Sequence, residues 1–319
     1  MEHQCIFCKS RLCIPVNMKH SENWKYVLCQ NCSTTQLCPT PSQEILAQAY
    51  SDTYYGPRKT KFIGPVESLI QTFRRMRAKS VTKVIPGKGS LLDIGCGNGE
   101  FLAMLKDSYD CHGVELPGKQ AERAMVKLGD KIKVGKLNTS DFKKNSLDAV
   151  TMWHVFEHLT QPGETLSMID CWLKPGGYLF LSLPNIDSWQ AGIFQGNWLH
   201  LDPPRHLFFQ NQETIQRNLE SKGYRLIRVK HLSFEQNIFG YIQSALNLLM
   251  KPRDLFFHFL QGILPRQKHK VLLSGLAAVL LFPFAFCLTL LEAMVGKGGT
   301  IELIFRKAEC HRVKEPNFV

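Results

Sequence analysis

The stretch Ser90-Leu91-Leu92-Asp93-Ile94-Gly95-Cys96-Gly97-Asn98-Gly99 constrains the fold of this chain more than any other segment. An apolar run ends in an acid, passes through three alternating glycines and leads directly into the helical run Glu100 to Lys106. A strand that turns through glycines into a helix opens a nucleotide-cofactor crossover. The glycine spacing separates the cofactors: a dinucleotide turn needs G-x-G-x-x-G, whereas here the third glycine comes one residue early and Glu100 takes its place. Hydride chemistry with a nicotinamide is disfavoured. Glycines can also serve turn geometry alone, so a ligand-binding role needs support from the rest of the chain.

Downstream of the turn, strand and helix patterns alternate, which argues for a parallel sheet covered on both faces. Strands are expected near 90–95, 111–116, 132–137, 147–153, 177–183, 224–232 and 300–306. Ligands of such sheets bind beyond the carboxyl ends of the strands. At 319 residues with 44% apolar content, the chain can bury one full catalytic core and still carry additions.

The pattern acid-x-G-x-G-x-G at Asp93, Gly95, Gly97 and Gly99, with Cys96 and Asn98 between, resembles the first motif of the class I S-adenosylmethionine-dependent methyltransferases. The resemblance implies a Rossmann-like α/β fold, a seven-stranded mostly parallel sheet with helices on both faces. The last strand is antiparallel and inserted beside its neighbours, and Thr300 to Arg306 fits it. It also implies that Asp93 holds the amino end of the donor through water. Glu115 closes the second strand about twenty residues after the turn, where a carboxylate accepts the ribose hydroxyls; a surface glutamate is the plainer reading. Asp141 and Phe142, after the third strand, resemble the pair that reads the adenine, and Phe142 fits a core position equally well.

Six of the 11 cysteines precede residue 40. Cys5, Cys8, Cys29 and Cys32 form C-x₂-C-x₂₀-C-x₂-C, within zinc-ribbon spacing. Four thiolates close a tetrahedral site and leave no open position, so Zn²⁺ there has a structural role. Cys13 and Cys38 are spare candidates. The opening Met-Glu-His-Gln-Cys lacks the charged-then-apolar layout of a secretion signal, and a cytoplasmic location, where clustered cysteines hold metal more often than disulfides, is expected. Tyr50, Tyr54 and Tyr55 come next in a polar linker, and the head and linker resemble those that precede bacterial methyltransferases acting on sugars and related small molecules.

The fourth strand runs into Trp153-His154-Val155-Phe156-Glu157-His158. If this segment turns helical, His154, Glu157 and His158 share a face and can converge on one atom. An aromatic loop with Trp189, Phe194 and Trp198 then leads to Pro203-Pro204-Arg205-His206 and is expected to wall the acceptor pocket. The W-H-V-x-E-H segment, the Leu-Lys-Pro-Gly-Gly run at 173–177, Pro184-Asn185 and the P-R-H triplet together resemble one bacterial methyltransferase subfamily with an N-terminal zinc ribbon. Related quinone and small-RNA O-methyltransferases carry E-x-x-E-H here and hold a divalent cation with it; this chain has His154 in the first position. Two mechanisms compete: His154 as general base, or a cation on the His154/Glu157/His158/His206 cluster that lowers the acceptor's pKa. The base is preferred, because an imidazole titrates near neutrality. Arg205 fits an anionic substrate group or a loop-fixing ion pair.

Net charge is +12, which suits an anionic partner. The segment Arg58 to Lys88 is densely basic, with Arg74, Arg75 and Arg77 in an expected helix. Val271 to Leu291 holds 21 residues without a charge, flanked by Arg266, Lys268, Lys270 and Lys297. It lies between the last two strands of one sheet, so a single crossing is disfavoured, and Pro283 is expected to divide it into two halves too short to span a bilayer. A shallow hairpin or in-plane helices on an anionic membrane surface are expected, joined by the apolar stretch from Ile238 to Leu264; a lid over the catalytic domain or a homodimer face is the alternative.

The expected organisation is a zinc ribbon at 1–40, a linker and basic helix at 41–89, the methyltransferase domain at 90–234 with 298–310, and a membrane-associated insertion at 235–297. The expected activity is methyl transfer to a small or lipid-linked acceptor, on oxygen rather than carbon, by an enzyme peripheral or monotopic on the inner face of the cell membrane. The alternatives are an RNA methyltransferase, disfavoured because the basic region lacks interleaved aromatics, and a noncatalytic zinc-ribbon scaffold.

Overall fold

The structure is a computed structural model that describes residues 4–16, 23–50, 64–263 and 267–309. Tyr54, Tyr55 and Arg266 lie outside the described residues. The chain begins with β1 (Cys13–Val16), β2 (Lys25–Cys29), β3 (Thr35–Cys38), α1 (Gln43–Ala49) and α2 (Gly64–Val84). The body continues as β4 (Ser90–Ile94), α3 (Glu100–Ala103), β5 (Asp110–Glu115), α4 (Lys119–Leu128), β6 (Ile132–Val134), β7 (Leu147–Trp153), α5 (Pro162–Trp172) and β8 (Leu173–Pro184). Then come α6 (Trp189–Phe194), β9 (Phe208–Phe209), α7 (Gln212–Glu220) and β10 (Tyr224–Lys230). The helices α8 (Phe234–Leu249), α9 (Leu255–Leu260) and α10 (Lys268–Met294) precede the final strand β11 (Thr300–Lys307).

All seven expected strands form one sheet in the order β10-β11-β8-β7-β4-β5-β6. It is the expected Rossmann-like fold: β8, β7, β4, β5 and β6 run parallel, and β11 is antiparallel to both β10 and β8. Period-two alternation explains why helices cover both faces. Leu91, Ala149, Phe180 and Ile304 meet Val81, Leu102 and Ala124 on one side. Their chain neighbours Leu92, Val150, Leu181 and Leu303 meet Leu166, Ile169 and Trp172 on the other. Each fully buried Leu or Phe contributes roughly 1.5–3 kcal/mol, so a one-residue slip, which exchanges the faces of a strand, is strongly disfavoured.

The N-terminal strands do not stand apart from this body. They form a second sheet, β1-β2-β3-β9, whose fourth strand comes from the segment after β8. Thr35 and Gln36 pair with Phe209 and Phe208.

The insertion departs from expectation at Pro283. The residue does not divide the apolar run, and α10 is one 27-residue helix with Pro283 inside it, about 40 Å long at 1.5 Å per residue. Proline removes one hydrogen bond from the ladder, but packing of Ala278 and Ala285 against Tyr241, Ile242 and Leu246 of α8 holds the helix on both sides of it. Among the described residues, α10 is the one helix long and apolar enough to cross a membrane by length and composition. Its C-terminal end returns to Thr300, opposite Pro184, and α8 departs after Lys230, opposite Glu302. Both ends of the insertion therefore join the sheet at its ligand-binding edge, and the hairpin that forms is α8 against α10.

Candidate active site

The turn after β4 is shaped by glycine. Gly95 has φ +72°, and a Cβ there would come within 2.4 Å of the Val155 side chain. Gly95 and Cys96 both donate their N–H to the carbonyl of Val114, at 2.8 and 3.2 Å, which ties the turn to β5. Gly97 has φ +57° and lines a large cleft, with no atom within 4 Å of the position of a Cβ. Glu115, at the end of β5, accepts the Gly97 N–H at 2.6 Å and its neighbour Leu116 N–H at 2.9 Å. Asp93 is buried beneath the turn, accepts the Thr151 hydroxyl at 2.6 Å, and is pushed up to about 7 by burial. Asn98 lines the cleft while its carbonyl takes the Lys127 ammonium at 2.7 Å; Cys96 is buried, its thiol packed against Gly113. An open main-chain turn, a carboxylate at the next strand end and a buried acid beneath fit an adenosyl sulfonium donor.

The adenine pair expected at Asp141 and Phe142 does not reach this cleft. Asp141 forms an ion pair with Lys133 and accepts the Asn138 N–H at 2.8 Å. Phe142 packs edge-on against His112 and Trp172, at 5.4 and 5.3 Å between ring centres. Leu137, Asn138 and Thr139 make the cleft wall here instead. The chain from 135 to 140 is irregular, and it carries these three side chains to the cleft.

Beyond β7 the backbone does not enter an α-helix. His154 takes φ +55°, donates its N–H to the Ser182 carbonyl at 2.8 Å, and is followed by one tight turn over Phe156–His158. His154, Glu157 and His158 consequently do not converge on a single atom. The His154 ring places Nδ1 3.5 Å from Glu157 Oε1 and Nε2 3.3 Å from the Ser182 hydroxyl. The group that converges is Glu157, His158 and His206, whose ligand atoms lie within 4.8 Å of one another.

That trio has the chemistry of a cation site. Among the described residues, both carboxylate oxygens of Glu157 are buried without a hydrogen-bond partner, and burial pushes the group up to about 7 against the opposing pull of His158. His206 Nδ1 donates to the His200 carbonyl at 2.7 Å. His158 Nδ1 faces the Arg205 carbonyl at 3.0 Å and the Tyr50 hydroxyl at 2.8 Å. A carbonyl only accepts, so the proton sits on Nδ1 of each ring and Nε2 keeps its lone pair. Burial holds both imidazoles below their ordinary value, that is, neutral.

Arg205 lines the cleft, but its guanidinium makes two bonds to Asp202, at 2.8 and 2.6 Å, and one to the Ala49 carbonyl at 3.5 Å. The loop-fixing alternative therefore describes its geometry. Trp189 and Phe194 belong to α6, and Trp198 is fully buried against Phe209 rather than exposed in a loop. Leu199, His200 and Asp202 take the wall position expected of them. His200 was not legible as a site residue from sequence, because nothing nearby in the chain marks it.

The cleft measures about 2350 Å³ and runs from the glycine turn past His154 to the inner faces of α2, α8, α9 and α10. Phe73, Ile238, Phe239, Phe257, Phe282 and Phe286 line its far end. Pockets for drug-sized ligands are usually about 300–1,000 Å³, so there is room for a donor and a large apolar molecule together. Arg77 of α2 bridges the cleft to Glu235 at 2.5 Å and lies 5.5 Å over the Trp153 ring; Arg74 pairs with Glu67 at 2.6 Å. These two cations of the basic helix are thus engaged within the chain.

In the N-terminal sheet the thiols of Cys5, Cys8, Cys29 and Cys32 lie within 4.8 Å of one another, with Cys5 3.5 Å from Cys32 and Cys8 3.6 Å from Cys29. Tetrahedral Zn–S bonds near 2.3 Å place sulfurs roughly 3.8 Å apart, so the cluster is compatible with a zinc ribbon. Cys13 packs beside the four, and Cys38 does not join them.

Residues 67–229, about half of the chain, match the family model described as "Methyltransferase domain". The chain is 34% identical to the mitochondrial ubiquinone biosynthesis O-methyltransferase of Candida albicans over 119 residues, 34% of this chain and 36% of that protein. It is 27% identical to the ubiquinone biosynthesis O-methyltransferase of Idiomarina loihiensis over 157 residues, 45% of this chain and 65% of that one. The chain thus spans from about a third to just under two thirds of these relatives' lengths. A solved S-adenosylmethionine-dependent methyltransferase from Archaeoglobus fulgidus superposes with a TM-score of 0.46 at 19% identity, over 74% of this chain and 94% of that one.

Proposed function

This chain belongs to the methyltransferase domain family, and on that premise we propose that it methylates an oxygen of a lipid-linked or similarly apolar acceptor at a membrane surface. The observation that carries the proposal is the continuity of the cleft from Gly97 and Glu115, past His154, to the aromatic inner face of the insertion. The opposite face of α10 exposes Leu276, Val279, Leu280 and Phe284, each at least 58% accessible. An acceptor with an apolar tail has a path of matching character, and the enzyme has a surface that favours the lipid interface. The corresponding location is peripheral or monotopic on the cytoplasmic face of the cell membrane.

S-adenosylmethionine, when bound, supplies a methyl group on a sulfonium that is already a good leaving group. The main chain at Gly97 and Asn98, which lines the cleft, would lie against it, Glu115 would accept the ribose hydroxyls, and Asp93 would hold the amino end through water. His154 would take the acceptor's hydroxyl proton at Nε2, with Nδ1 turned toward Glu157. Alignment by the cleft walls would supply much of the rate. The four N-terminal thiolates would hold a structural Zn²⁺.

A second reading of the proton step rests on the unpartnered Glu157 carboxylate. Glu157, His158 and His206 would hold a divalent cation, which would lower the pKa of the acceptor hydroxyl. Carboxylate with two imidazoles suits a transition ion better than Mg²⁺.

The test is transfer of labelled methyl from the donor into a lipid extract and a soluble extract of the source cell. Label is expected in lipid. His154→Ala should lower the rate at least ~100-fold with donor affinity kept; full retention of rate removes the base, and loss of rate on chelation alone favours the cation. Label confined to the soluble extract overturns the lipid acceptor.

A further inference from the structure

The cleft wall contains a histidine that no step above uses. His200 is 6% accessible, borders the cleft, and its Nε2 is buried with no hydrogen-bond partner among the described residues. Its ring lies parallel to His154, 6.1 Å away at 11°, and parallel to His206, 6.2 Å away at 15°. Trp198 meets it edge-on at 5.2 Å. Its own carbonyl is the group that fixes the His206 tautomer. The ring is thus clamped between the proposed base and the cation-competent trio, and among the described residues nothing pairs with its Nε2.

We propose that His200 Nε2 is a hydrogen-bonding post for a hydroxyl or carbonyl oxygen of the acceptor. A buried polar atom without a partner costs free energy until something fills it, and the molecule that fills the cleft beside it is the acceptor. An imidazole nitrogen can give or accept one hydrogen bond, so the post matches a hydroxyl or a carbonyl oxygen and discriminates against an apolar isostere. An oxygen held there stands beside His154, the position that methyl transfer requires. This inference rests on the proposed methyltransferase reading and adds the residue that recognises the acceptor's oxygen.

The experiment uses the full chain loaded with the donor's demethylated product and compares phenol with its isostere toluene by calorimetry. Phenol should bind about fivefold tighter than toluene, one hydrogen bond's worth. His200→Ala should abolish the difference between phenol and toluene, and His200→Asn, which keeps a polar group, should retain part of it. The ¹⁵N resonance of His200 Nε2 should move with phenol and stay with toluene, a readout that a purely structural role would not give. Equal affinity for phenol and toluene in the wild type, or an unchanged preference in His200→Ala, overturns the proposal. Absence of product binding would count against the methyltransferase reading instead, and the phenol and toluene comparison on the unloaded chain would still decide the role of His200.

Discussion

Leu207 donates its main-chain N–H to the carbonyl of Glu157 at 2.9 Å, and its own carbonyl accepts the N–H of Leu37 at 2.8 Å. One residue therefore joins the N-terminal sheet to the turn that carries the buried carboxylate. A second tie runs from the Cys32 thiol to the Thr34 hydroxyl at 3.2 Å and from Thr34 to Gln210 at 2.8 Å. His206 is the chain neighbour of Leu207, so the same connection reaches a member of the cation-competent trio.

Loss of the thiolate cluster should consequently be felt at the turn that carries Glu157. Cys32→Ser is expected to reduce zinc content, to cost at least ~3 kcal/mol, and to lower Tm by roughly 6–12 °C. Methyl transfer should fall with it. Zinc analysis paired with a thermal scan checks the first part; a variant that loses zinc at unchanged Tm would separate the ribbon from the core.

Glu115 should matter to donor binding before any chemistry. Glu115→Ala removes charged acceptors for the ribose and leaves the Gly97 N–H without its partner. Hydrogen bonds to charged groups are worth about 1.5–3 kcal/mol, so affinity for the demethylated product is expected to fall about 10- to 100-fold. Isothermal calorimetry reads this directly, and a change under threefold would place the ribose elsewhere.

Asp93 gives a pH dependence with a defined sign. Burial raises it from 3.8 to about 7, so below neutrality it is protonated in the free protein and must ionise to face the donor's ammonium. Donor affinity is expected to be flat above pH 7 and to fall about tenfold for each unit below it; Asp93→Asn should bind weakly with no such slope. Stability runs the other way. The unfolded group ionises near 3.8 while the folded one keeps its proton, so the carboxyl costs nothing below that value and destabilises increasingly as pH rises to about 7. Asp93→Asn should be the more stable protein at pH 7, with the gain vanishing near pH 4 in denaturant titrations.

The outer face of α10 offers a test that leaves the cleft alone. Val279 and Leu280 are 72% and 73% accessible and do not line the cleft. Glutamate at both positions should abolish co-sedimentation with anionic vesicles while product affinity stays within twofold. Unchanged sedimentation would assign the insertion to a lid alone.

The sequence by itself determined the features that depend on near neighbours. Apolar alternation fixes strands and their faces over a few residues, and the glycines after Asp93 set a turn whose geometry is local. The paired cysteines declare their cluster through spacing. Tertiary structure decided the rest. His206 and His200 reach the catalytic turn from about fifty residues on, and Phe208 and Phe209 complete a sheet that began before residue 20. No local pattern encodes these pairings, because the packing of one element on another selects them. Pro283 makes the same point in reverse: a residue that breaks a helix by local rule stays inside α10, since burial of the flanking alanines on α8 outweighs one missing hydrogen bond.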